Sequence, residues 1–149
     1  MDKQQVRKIY GRYSSVYDLI FSRLFSPRIK LGLERSGIEE GDRVLEVGVG
    51  TGISLASYPD SCNVVGIDLT RKMLEKAKEK KAAMQLDNVD LLEMDAEILT
   101  FADDSFDHSV AAFVVTVVPN PEKMVAEMKR VTKKDGTIVI LNHFCSNNA

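Results

Sequence analysis

A doubly wound, Rossmann-like parallel sheet with helices on both faces is the architecture this 149-residue sequence predicts. Three observations predict it. Short apolar runs at 44–47, 63–67, 89–93, 108–115 and 137–141 alternate with amphipathic stretches. Most of the runs are apolar nearly throughout, the pattern of strands buried on both faces. Three alternate glycines, Gly48, Gly50 and Gly52, follow the first run directly, as in the opening βα unit of a nucleotide-binding sheet. Right-handed crossovers then leave a five-stranded sheet of order 3-2-1-4-5 as the expected winding.

The elements are justified in chain order. Residues 3–25 carry Val6, Ile9, Tyr10, Tyr13, Val16, Tyr17, Leu19, Ile20 and Leu24 at helical spacing. Gly11 and Ser14-Ser15 divide this stretch into two short helices, with Ser14 or Ser15 as the second N-cap. Pro27 suits the first turn of a third helix that runs to about Arg35 and stops at Gly37. Residues 1–38 therefore read as a helical arm and 39–149 as the core. Glu39 to Asp42 turn into the first strand, and Ser54 to Tyr58 continue as a helix after the glycines. The second strand ends on Asp68, and Thr70 caps a helix to about Ala83 with Met73, Leu74 and Ala77 on one side. The third strand ends at Met94-Asp95, and a loop at 103–105 precedes the fourth. Pro119-Asn120-Pro121 opens a helix with a stripe of Met124, Val125, Met128 and Val131, and Lys134-Asp135-Gly136 turns into the fifth strand.

Composition narrows the function classes. Hydrophobic content of 44% and charged content of 28% are those of a globular domain, and a net charge of −2 argues against a dedicated nucleic-acid binder. The first 30 residues are nevertheless basic: Lys3, Arg7, Lys8, Arg12, Arg23, Arg28 and Lys30 against Asp2 and Asp18. Cys62 and Cys145 form neither a disulfide framework nor a metal-ligand spacing, so no metal site is expected and a reducing cytoplasm is. The longest apolar run, 110–118, contains Thr116 and falls short of the roughly 20 residues of a spanning helix. The expectation is a cytoplasmic protein, at most peripheral at the inner face of a membrane.

In a sheet of this kind the ligand lies at the carboxyl ends of the strands. Asp68 can accept both hydroxyls of a ribose there, or cap the next helix. Asp95 can accept from an adenine amino group while the Ala96 N–H faces a ring nitrogen, or Asp95 can serve a turn. Three such features in register favour a ligand over three separate local roles. The alternate glycines depart from the G-x-G-x-x-G spacing of pyrophosphate binders. Glu46, just before them, suits a cationic amino-acid group and repels a diphosphate. An adenosyl sulfonium amino acid is favoured over a dinucleotide.

The run Glu46-Val47-Gly48-Val49-Gly50-Thr51-Gly52, the run Gly66-Ile67-Asp68-Leu69-Thr70 with Met73, Leu74 and Ala77, Met94-Asp95-Ala96, Phe106-Asp107 and Arg130-Val131 together resemble a class I S-adenosylmethionine-dependent methyltransferase. The resemblance covers residues 40 to 144. Within that superfamily, residues 47–55, Tyr58-Pro59, Tyr17-Asp18 and Asn142-His143-Phe144 are most similar to bacterial phosphatidylethanolamine N-methyltransferases, with quinone C-methyltransferases the near alternative. The resemblance implies S-adenosylmethionine as methyl donor and S-adenosylhomocysteine as product. Gly48, Gly50, Thr51 and Gly52 would pass the methionine part, with Glu46 near its ammonium group. Asp68 would hold the ribose, Leu69 and Met73 would flank the adenosine, Asp95 and Ala96 would read the adenine, and Tyr17 would close over the cofactor. Lys134-Asp135-Gly136 stands where the family usually has Pro-Gly-Gly, a departure in a turn remote from the ligand. The family fold also continues into a further helix and an antiparallel hairpin. The resemblance thus implies that this chain lacks the hairpin, and that a further segment or a second copy covers the fifth-strand edge.

A phospholipid amine is protonated at neutral pH, and for a pKa of about 10 its neutral form costs roughly 4 kcal/mol at pH 7. His143, after the fifth strand at the ligand end, is the candidate proton acceptor; a structural hydrogen bond is its other reading. Tyr10, Tyr13 and Tyr17 either line the amine pocket, stabilising cations through their ring faces, or simply pack. Arg7, Lys8, Arg12 and Arg23 beside Ile9, Leu19, Ile20, Phe21, Leu24 and Phe25 suit an anionic membrane surface. A helical lid with a solvated basic face is the alternative, and the two are compatible.

Overall fold

The structure, a computed structural model, describes residues 2–10 and 16–142, with the side chains of residues 9, 10, 16–19 and 21 outside that description. Its elements run α1 (Lys3–Tyr10), α2 (Val16–Glu34), β1 (Arg43–Val47), a 3-10 turn (Leu55–Ser57), β2 (Asn63–Asp68), α3 (Arg71–Ala83), β3 (Val89–Glu93), β4 (Phe106–Ala112), α4 (Pro121–Val131) and β5 (Thr132–Leu141). The five strands are parallel in the order β3-β2-β1-β4-β5.

Alternation of side chains across the pleat builds a core on each face. Val44, Val64, Val89 and Val110 join Ile29 and Leu33 of α2 and Leu74 of α3 on one side. Leu45, Val47, Val65, Ile67 and Ala111 join Met124, Met128 and Val131 of α4 on the other. Each fully buried aliphatic side chain contributes about 1.5–3 kcal/mol, which is why most buried positions of the central strands β1, β2 and β4 are apolar. Glu46, with 2% exposure on the α2/α3 side, is the carboxylate buried among them.

Four elements depart from their sequence expectation. Pro27 does not start a helix but lies inside α2. Its missing N–H is outweighed by an inward stripe of Phe25, Ile29 and Leu33 at i, i+4 and i+8. The helix expected at 54–58 shrinks to the 3-10 turn, because Pro59 forces Tyr58 into extended backbone (φ −79°, ψ 150°). β4 stops at Ala112, since Phe113 takes φ +57°, which no strand admits. The Phe113 N–H instead donates to the Leu141 carbonyl (2.8 Å), and its ring meets Phe25 with centroids 4.7 Å apart. Finally, 134–136 make no separate turn. β5 starts at Thr132 and absorbs these residues as a bulge between the Phe106–Thr132 and His108–Thr137 pairs. A Cβ at Gly136 would meet the Asp107 carbonyl oxygen at 2.1 Å, so only glycine fits this crossing.

Candidate functional site

The site begins where β1 runs into its glycines. The N–H groups of Gly48 and Val49 both donate to the Ile67 carbonyl (2.9 Å each), pinning the loop to the end of β2. Gly48 and Gly50 adopt φ +73° and +57°, conformations that side chains disfavour. A Cβ on Gly48 would come within 2.5 Å of Val114, whereas one on Gly50 would meet only the Met73 methyl at 3.5 Å and otherwise open space. Gly50 thus leaves bare backbone toward the cavity. Gly52 does not line the cavity; its Cβ would strike Leu55 at 2.8 Å and Ala77 at 3.3 Å, so its smallness serves loop–α3 packing.

Asp68 unites its two sequence readings. Its Oδ2 accepts from the Gly50 N–H (2.9 Å) and its Oδ1 from the Thr70 N–H (2.8 Å), so it braces the loop and the start of α3 while lining the cavity. Thr70 occupies the N-cap position, but its side chain makes no cap hydrogen bond. Each carboxylate oxygen keeps a second lone pair for a ribose hydroxyl. Burial raises the Asp68 pKa against the pull of its N–H donors.

Glu46 accepts from the Ser54 hydroxyl (2.5 Å) and the Tyr58 hydroxyl (2.8 Å). Burial pushes its pKa up to about 7 against these two donors, and Asp68 adds a smaller upward push. The 3-10 turn after the glycines exists to deliver those hydroxyls. Sequence reasoning passed over Ser54 and Tyr58 as partners. The signal was a carboxylate inside an apolar strand, which requires donors from nearby chain.

At the third strand end, Asp95 Oδ1 accepts from the Glu97 N–H (3.0 Å) and Oδ2 from Lys3 Nζ (2.6 Å). Burial pushes the Asp95 pKa up, but Lys3 and the N–H donor leave it below the usual carboxylate range. Lys3 and Val6 of α1 also line the cavity, which the sequence did not anticipate.

The structure gathers Glu46, Gly48, Gly50, Thr51, Asp68, Leu69, Met73, Asp95 and Ala96 around one cavity of about 1030 Å³, open mouth included. An apolar arm of Ala112, Phe113, Val114, Val117 and Val118 extends it past Gly48. The side chains of Tyr10 and Tyr17, and the residues Tyr13 and His143, lie outside the described residues. The lining suits an adenosyl sulfonium amino acid: the carboxylates of Glu46, Asp68, Asp95 and Glu97 share the cavity with the glycine loop, and a diphosphate would be repelled there. These residues would hold the amino acid end at Glu46 and Gly50, the ribose at Asp68, and the adenine between Met73, Asp95 and Ala96.

Fold and site thus define a class I S-adenosylmethionine site, and comparison with known proteins agrees. The chain belongs to the S-adenosylmethionine-dependent methyltransferases: the family described as "Methyltransferase domain" matches residues 45–140. It is 45% identical over 146 residues to a phosphatidylethanolamine N-methyltransferase of Cereibacter sphaeroides, covering 97% of this chain and 70% of that protein. It is 35% identical over 148 residues to a ubiquinone/menaquinone biosynthesis C-methyltransferase of Citrifermentans bemidjiense, covering 93% and 63%. A SAM-dependent methyltransferase from Aquifex aeolicus superposes on the whole chain and 78% of its own length with a TM-score of 0.72, at 23% identity, a likeness of fold.

Proposed function

We propose that the chain methylates the amine of phosphatidylethanolamine, towards phosphatidylcholine. The observation that carries this choice of acceptor is the 45% identity to a phosphatidylethanolamine N-methyltransferase, against 35% to a quinone C-methyltransferase over a similar span. The geometry of α2 supports it. Ile29 of α2 lines the cavity, while Ile20, Leu24 and Leu31 point outward at 54%, 60% and 47% exposure beside exposed Arg23, Arg28 and Lys30. One helix would face the cofactor cavity inward and an anionic lipid surface outward. No helix among the described residues is long and apolar enough to cross a membrane, so contact with lipid would be peripheral.

S-adenosylmethionine supplies, when bound, a methyl group already activated on a positively charged sulfur. What remains for the protein is alignment, exclusion of water and removal of one proton. Gly48 and Gly50 admit the methionine part against bare backbone, and Glu46 faces its ammonium. The apolar arm at Ala112–Val118 lowers the pKa of an entering amine by desolvation. His143 is proposed to take the amine proton, and Tyr10, Tyr13 and Tyr17 to enclose the amine with their ring faces, Tyr17 closing over the cofactor.

The test is transfer of radiolabelled methyl groups to phosphatidylethanolamine vesicles, with calorimetric binding of S-adenosylhomocysteine alongside. Label in the lipid amine supports the proposal. Cofactor binding with label entering only a demethylquinol replaces it with the quinone reading.

A further inference from the structure

Lys3 and Glu97 have no part in the roles assigned above, yet both line the cofactor cavity. Oε2 of Glu97 is a buried oxygen without a hydrogen-bond partner among the described residues, on a side chain only 7% exposed. Such an oxygen is costly unless a donor reaches it in another state of the molecule. The nearest cation is Lys3 Nζ, at 3.8 Å, and that ammonium is already committed to Asp95 Oδ2 at 2.6 Å. Asp95 Oδ2 is therefore covered by Lys3, although Asp95 is the carboxylate assigned above to the adenine amino group.

We infer that Lys3 is handed from Asp95 to Glu97 when the adenine enters. A shift of about 1 Å on a flexible four-carbon stem would bring the ammonium to hydrogen-bond distance of Glu97. Asp95 would then be free for the exocyclic amine, Glu97 would gain its donor, and no proton would change owner. Arg7, one helical turn from Lys3 and 3.8 Å from Glu93 Oε1, gives α1 a second, exposed ion pair beside the site. Lys3 and Glu97 are thus positioning residues for the adenine end. The inference rests on the cofactor site and not on the proposed methyl acceptor.

The test is a double-mutant cycle on the full chain, read as the calorimetric Kd for S-adenosylhomocysteine in wild type, Glu97→Gln, Lys3→Met and the pair. The handover predicts that E97Q weakens binding about tenfold, the size of one charge-assisted hydrogen bond, and less than twofold once Lys3 is Met. S-inosylhomocysteine, which lacks the exocyclic amine, should bind wild type and E97Q alike. Equal losses from E97Q in both Lys3 backgrounds, or no loss in either, overturn the inference, as does an equal loss for both ligands. Thermal midpoints show whether the isosteric E97Q chain remains folded. Failure of wild type to bind S-adenosylhomocysteine would instead sink the cofactor assignment for this chain, a separately readable result.

Discussion

Glu46 is where stability and function oppose each other. Its folded pKa of about 7 lies above the ordinary glutamate value of 4.5 because burial penalises the charged form. The folded chain therefore holds more protons than the unfolded one between those values. Stability falls as pH rises from about 4.5 to about 7 and is flat above, by an amount on the order of 3 kcal/mol. Glu46→Gln should remove this loss, raising the thermal midpoint at pH 8 more than at pH 5, while weakening S-adenosylhomocysteine binding at least tenfold. Unfolding at the two pH values and calorimetry check both halves; equal stabilisation at the two pH values would refute the account. Gly48 is a second residue with a defined cost. Alanine there combines φ +73° with a contact to Val114 at 2.5 Å, so G48A should lose about 1–3 kcal/mol in urea unfolding.

At the scale of elements, α2 couples the cavity to the outer surface. Phe25 on α2 holds Phe113 just past β4, and Gly32 lets the helix approach Leu141 of β5, where a Cβ would stand 2.8 Å from its methyls. Phe25→Ala should cost about 2–4 kcal/mol in urea unfolding, less than a fully buried ring at the upper end. Its removal should also alter acceptor use more than cofactor affinity, since Phe113 lines the apolar arm and not the adenine end. Kinetics with saturating cofactor, beside a binding measurement, test that split. The outward face yields its own prediction. Charge reversal at Arg23 and Arg28 should weaken binding to anionic vesicles in co-sedimentation at least about thirtyfold at low salt, from about 1 kcal/mol for each basic residue lost, and leave cofactor affinity unchanged.

At the scale of the whole molecule, β3 and β5 are the outer strands of the sheet among the described residues. Leu92 and Ile140 on these outer strands are 41% and 42% exposed. That a further segment or a second copy of the chain pairs with β5 stands as a proposal. It predicts concentration-dependent association in sedimentation velocity, suppressed by Ile140→Lys, because edge lysines block strand pairing. A monomer at all concentrations would argue against the second copy.

The sequence by itself determined the winding, the five strands and their order, and it placed Glu46, Gly48, Gly50, Asp68 and Asp95 at the strand ends that line the cavity, but not Lys3 or Glu97. Those features are written in local periodicity: alternate apolar positions, glycines where φ is positive, acidic residues at strand ends. Tertiary structure alone decided what those residues meet. Lys3 reaches Asp95 across 92 positions of chain, and no local pattern encodes that pairing. Phe113 leaves the strand although valines follow it, because the Leu141 carbonyl and the Phe25 ring are better partners than one more step of the pleat. Pro27 sits inside a helix because Phe25, Ile29 and Leu33 need one continuous face against the sheet. In each case a contact between distant segments outweighs a local preference worth at most a few kcal/mol.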